Sequence, residues 1–160
     1  MVLSEVGRDG PGKSPDRIPA CEYKKRFGCQ IATHALDTME LDGCKVDLRW
    51  DADISPKPDT QFLHTPGHTP GSACLLMDAR TGRLLFCGDI VAINDSGVID
   101  TEIEDREIPR LLSTLSSWSK VVDHDFDALI PLHTFADSPV PFIAQGGRGA
   151  LKKALAKVTT

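Results

Sequence analysis

The sequence predicts an α+β fold, and three observations carry the prediction. Apolar runs at about 60–65, 72–79 and 83–87, separated by Gly- and Pro-rich turns, read as an antiparallel meander of strands. Between Glu107 and Trp118, the residues Ile108, Leu111, Leu112, Leu115 and Trp118 recur at helical spacing and predict an amphipathic helix. Asp127-Ala-Leu-Ile-Pro-Leu-His133 then reads as a strand ending in a histidine, and Arg148 to Val158 as a C-terminal helix with a lysine-rich outer face.

In chain order, residues 4–20 are rich in Gly, Pro, Asp, Lys and Arg with no hydrophobic period, so 1–20 is expected to be a disordered tail or linker, and 21–160 the domain. Glu22-Tyr-Lys-Lys-Arg-Phe-Gly28 reads as the last turn of a helix closed by a C-cap glycine. Cys29 to His34 follows as a short strand, then an acidic loop from Asp37 to Gly43. Helix, glycine and strand form half of a βαβ unit. Lys45 to Trp50 alternates apolar and polar residues, as an edge or half-buried strand does. Asp51 to Asp59 is a loop with two prolines, Ile90 to Thr101 a loop after the meander, and Val140 to Ala144 a short strand or loop. Asp123-His-Asp-Phe-Asp127 reads as a solvated loop.

Composition narrows the function. One hundred and sixty residues, 41% of them hydrophobic, suit one domain with one core. A net charge of −5 argues against nucleic-acid or anionic-membrane partners, which need a basic face. No apolar run approaches the roughly 20 residues of a membrane span, and the N-terminus lacks the apolar core of a secretory signal. Cys21, Cys29, Cys44, Cys74 and Cys87 are odd in number and hold no Cys-x-x-Cys pair, which gives little support to a disulfide framework or zinc finger. A reducing compartment is the default. The expected setting is cytoplasmic, or an organelle stroma should a transit peptide be missing.

The most informative stretch is Phe62 to Val91. His64 and His68 sit in and beside Thr65-Pro-Gly-His-Thr-Pro-Gly-Ser72, where two Pro-Gly pairs fold the backbone sharply. A histidine on a rigid turn between strands has a defined direction, which a metal ligand needs. Asp89 follows the Leu84-Leu-Phe-Cys-Gly88 run, and Gly88 lets the backbone approach whatever Asp89 binds.

Loop, strands and Gly-Asp in this order resemble the metallo-β-lactamase superfamily. The resemblance implies an αββα sandwich, incomplete here in its N-terminal half. It implies that His68 and Asp89 are metal ligands, Asp89 bridging two ions and serving as the catalytic carboxylate, with His64 outside the coordination sphere. His133 is implied as a third ligand, although Pro131-Leu-His-Thr134 stands where the family has Pro-Gly-His-Gly. The cofactor implied is zinc, with iron the alternative, one or two ions in a complete homologue. The superfamily's His-x-His-x-Asp-His motif is expected upstream of Tyr23, and no His-x-His occurs in the chain. Residues 22 to 135 further resemble the family's single-domain, hydrolase-like branch.

The function implied is a metal-dependent hydrolase of small-molecule esters, thioesters or lactones, weakly active or inactive alone. The alternatives are a mononuclear-iron oxidoreductase of the persulfide dioxygenase type and a non-catalytic partner-binding domain. With its first sheet incomplete, the meander is expected to expose an apolar face containing Phe62, Leu75 and Leu85, through which the chain would self-associate.

Overall fold

The computed structural model describes residues 2–3, 20–37, 45–94, 97–100, 108–132 and 142–158. The chain begins with β1 (Val2–Leu3), α1 (Ala20–Phe27) and β2 (Ile31–His34). Gly28 ends α1 at a φ of 61°, a left-handed conformation that costs glycine little, and its N–H bonds the Lys24 carbonyl at 2.9 Å. After β2 a single 3-10 turn, Ala35–Asp37, carries Asp37. β3 (Leu48–Trp50) completes a parallel sheet ordered β1-β2-β3. Asp47 ties this sheet to α1. Its carboxylate accepts the Lys24 ammonium at 2.6 Å and the Ile31 amide at 2.9 Å. Those two donors, Lys24 foremost, hold its carboxyl below the usual carboxylate range.

The second sheet is built from β4 (Ile54–Lys57), β5 (Thr60–His64), β6 (Ala73–Ala79) and β7 (Gly82–Gly88), all antiparallel. A short hairpin, β8 (Ala92–Ile93) with β9 (Ile99–Asp100), precedes helix α2 (Ile108–Val121). β10 (Ala128–Pro131) then joins the sheet parallel to β7, giving the order β10-β7-β6-β5-β4, and α3 (Gly147–Val158) closes the described chain. The meander and the later helices therefore fall where the sequence places them. Of the 140–144 span, the described part holds one isolated bridge, Ile143 to Leu129.

Strand periodicity divides the second sheet between two neighbours. Leu63, Cys74, Leu76 and Leu85 face Trp118 and Val121 of α2 and Leu151 of α3. The alternate residues, Phe62 with Ala73 and Leu75, pack on Ala32 and Trp50 of the parallel sheet. The layers are thus parallel sheet, mostly antiparallel sheet, helices.

This corrects the expected apolar face. Phe62 is 1% exposed and Leu85 0%, while Leu75 is half-buried. Phe62 pairs with Leu75, but Leu85 pairs with Leu76, one residue out of phase, so Leu85 lies on the helix side and Phe62 on the sheet side. Each face has a cover. The span 1–20 contains β1 and the first residue of α1, and the rest of it lies outside the described residues. Cys21 is disulfide-bonded, a link the odd cysteine count does not suggest; Cys29, Cys74 and Cys87 are outside any disulfide.

Candidate metal centre

Antiparallel pairing of β5 with β6 and of β6 with β7 makes β5 and β7 run the same way, and β10 is parallel to β7. The loops that follow β5 and β7 therefore leave the same edge of the sheet. One of them carries His68 and the other Asp89. Pro131, at the end of β10, lies opposite Gly88, and the Leu132 amide bonds the Gly88 carbonyl at 3.0 Å. Gly88 adopts a φ of 54°, so the chain turns at once after β7 and presents Asp89 beside the sheet edge.

His68 Nε2 lies 3.8 Å from Asp89 Oδ2, with the imidazole 30% exposed and the carboxylate 9%. The structure thus brings together two of the three sequence-predicted ligands. His133 lies outside the described residues. His64 is engaged elsewhere: its Nε2–H donates to the Pro70 carbonyl at 2.9 Å, and its ring stacks on His34 with centroids 3.9 Å apart.

The loop from Thr65 to Ser72 is held on two sides. From α2, Arg110 donates to the carbonyls of Gly67 at 3.4 Å and His68 at 3.2 Å. The Ser117 hydroxyl donates to the Pro66 carbonyl at 2.7 Å. Gly67 presses on Thr114 so closely that a Cβ there would lie 2.2 Å from its hydroxyl oxygen and 3.1 Å from its Cα. Lys120 reaches the His64 carbonyl at 2.9 Å and Asp53 at 2.7 Å, and Asp53 in turn accepts the His64 amide at 2.8 Å. Burial pushes the Asp53 carboxyl up, but the Lys120 ammonium and the His64 amide outweigh it and leave it below the usual range. From the other side, Asp37 accepts the Thr69 hydroxyl at 2.5 Å and the Gly71 amide at 2.9 Å.

A sequence model of the metallo-beta-lactamase superfamily matches residues 22–139. The chain belongs to the metallo-β-lactamase superfamily. Solved structures of that fold agree. The metallo-beta-lactamase from Staphylococcus aureus subsp. aureus COL aligns with a TM-score of 0.56 at 20% identity, over 87% of this chain and 47% of its own. The metallo-β-lactamase MIM-1 from Novosphingobium pentaromativorans gives 0.54 at 17%, over 88% and 62%. A β-lactamase from Chitinophaga pinensis gives 0.54 at 14%, over 88% and 64%. At such identities the likeness is one of fold. The chain spans about half to two thirds of these proteins' lengths, which fits the incomplete sandwich the sequence predicts. No curated protein is significantly similar to it.

Metallo-β-lactamase proteins are metal-binding, and the donors at this sheet edge suit that chemistry in part. Imidazole and carboxylate are ligands for zinc or ferrous iron, and His68 and Asp89 stand close enough to share one ion. Among the described residues, however, no group of three or more His, Cys, Asp and Glu could hold an ion. Of the three candidate ligands, the described residues include His68 and Asp89.

Sequence reading passes over Asp37, Arg110 and Lys120. Nothing in their local pattern marks them, since each acts on the loop across a long stretch of chain. It also passes over residues 7–14, Gly-Arg-Asp-Gly-Pro-Gly-Lys-Ser, which have the spacing of a phosphate-binding loop. That span lies outside the described residues.

Proposed function

We propose that the chain carries the His68–Asp89 part of a metal centre for hydrolysis of an ester, thioester or lactone, and that alone it is weakly active or inactive. The observation that carries this reading is the 3.8 Å approach of His68 Nε2 to Asp89 Oδ2, from two loops leaving one sheet edge. Zinc is the expected ion and iron the alternative, with His133 the expected third ligand. A bound ion there would supply a water of lowered pKa and polarise the substrate's carbonyl oxygen. The chain's own contribution is positional. Asp89, largely shielded from water, offers a carboxylate oxygen, and His68, partly exposed, offers an imidazole nitrogen on a loop held from two sides.

A catalytic zinc ordinarily has three protein ligands, and the lack of any His-x-His in the sequence favours a second reading, a domain that keeps the fold and binds a partner without turnover. Elemental analysis after dialysis against a mild chelator separates them. Substoichiometric zinc or iron that falls further with Asp89→Ala, and not with His64→Ala, supports the half-site. Near-stoichiometric retention would show a complete centre, and retention unaffected by Asp89→Ala and His68→Ala would place the metal elsewhere. No helix among the described residues is long and apolar enough to cross a membrane.

A further inference from the structure

Asp37 ends the turn after β2, on the parallel sheet, yet both its carboxylate oxygens are spent on a loop of the other sheet. It is buried, 8% exposed. Oδ2 accepts the Thr69 hydroxyl at 2.5 Å and Oδ1 the Gly71 amide at 2.9 Å. The same hydroxyl meets Ser72 Oγ at 2.9 Å, which also accepts the Thr69 amide at 2.8 Å. Groups at Thr69, Gly71 and Ser72, all shortly after His68, are thus organised around one anion, and bonds to an ionised acceptor are roughly twice as strong as neutral ones. The fit is tight enough to dictate sequence: a Cβ on Gly71 would fall 2.5 Å from Asp37 Cγ.

We propose that Asp37 is a positioning residue for His68. It fixes the backbone at Thr69 and Gly71, while Arg110 holds the carbonyls of Gly67 and His68, and between these clamps the ring has one direction. The inference deepens the metal-centre reading and rests on His68 being a ligand. It accounts for why a carboxylate is buried at the junction of two sheets: Asp37 takes these hydrogen bonds from the loop, as a template for its shape.

The test uses the full chain, isotope-labelled, as wild type, Asp37→Asn and Thr69→Val. Asparagine keeps the volume and one acceptor, and valine removes only the hydroxyl, so either variant retains the packing if the other fails to fold. Amide exchange at Gly71 and the ring nitrogen signals of His68 are followed by NMR without metal, with His124 as the distant control. Both variants are expected to raise Gly71 exchange by about tenfold and to shift or broaden the His68 ring signals while His124 stays unchanged. Zinc titration of the same samples should show affinity about tenfold weaker, the usual result of losing a group that orients a ligand. Wild-type Gly71 exchange and His68 signals in both variants would overturn the proposal. A disordered His68 in samples that bind zinc as well as wild type, or in a chain that binds none, supports the positioning and sinks the metal reading.

Discussion

Gly67→Ala should loosen the histidine loop from α2, and the size of the effect follows from one close approach. The added methyl would stand 2.2 Å from the Thr114 hydroxyl oxygen and 3.1 Å from both Cα and Cβ of that residue. Rotating the Thr114 side chain can move the oxygen, but not the α-carbon, which belongs to the helix. Thr114 is fully buried, so the helix face has no slack toward solvent. Either the loop or the helix must shift, and overpacking of this kind costs about 1–3 kcal/mol. In a domain of this size that lowers the melting temperature by about 2–12 °C. Thr114→Ala removes the nearest atom and leaves the crowding against the helix backbone, so Gly67→Ala should be milder in that background, with a coupling of about 0.5 kcal/mol or more. Calorimetry of the four proteins provides the cycle. Equal melting-temperature losses in the two backgrounds, or none in either, would refute the close approach of loop and helix.

Other perturbations have definite signs. Burial, and then the neighbouring His64 ring, hold the His34 imidazole below its ordinary 6.5, against the opposing pull of the Asp51 backbone and the Asp37 and Asp51 carboxylates. The folded state therefore takes up this proton less readily than the unfolded chain. The stability it contributes should be complete above about pH 6.5 and decline as pH falls below it. Denaturation midpoints from about pH 7.5 down to 5.5, flatter in His34→Gln than in wild type, would bear this out. Lys120→Met removes the donor shared by Asp53 and the His64 carbonyl. It should cost on the order of 1 kcal/mol, since the pair is partly exposed, with faster amide exchange at His64. Gly28→Ala meets nothing within 4 Å and is penalised only through its φ of 61°, so a loss of about 1–2 kcal/mol is expected, without change at the metal-centre loop. A loss much larger than that by urea titration would mean Gly28 has a packing role.

The two sides of the candidate centre differ in how far the sequence exposes them. His68 and Asp89 are legible because their own loops announce them: Pro-Gly pairs around the histidine, a glycine before the aspartate, and apolar strand runs on either side of each loop. Such signals are local, and local chemistry survives in a one-dimensional string. Asp37, Arg110 and Lys120 are not legible for the opposite reason. Asp37 reads as the start of an acidic loop, and Arg110 and Lys120 as the polar face of an amphipathic helix, which is what their neighbours in sequence make of them. Their meaning comes from the second sheet being sandwiched between β2 on one face and α2 on the other. The parity of Leu85 is hidden in the same way, since a string of apolar residues does not say which of two faces each serves until the register Phe62–Leu75 and Leu76–Leu85 is known. It follows that the loop's shape is encoded twice, once in its own prolines and glycines and once in distant polar side chains. A substitution that spares the histidine loop can still misdirect His68 if it touches the residues that hold it.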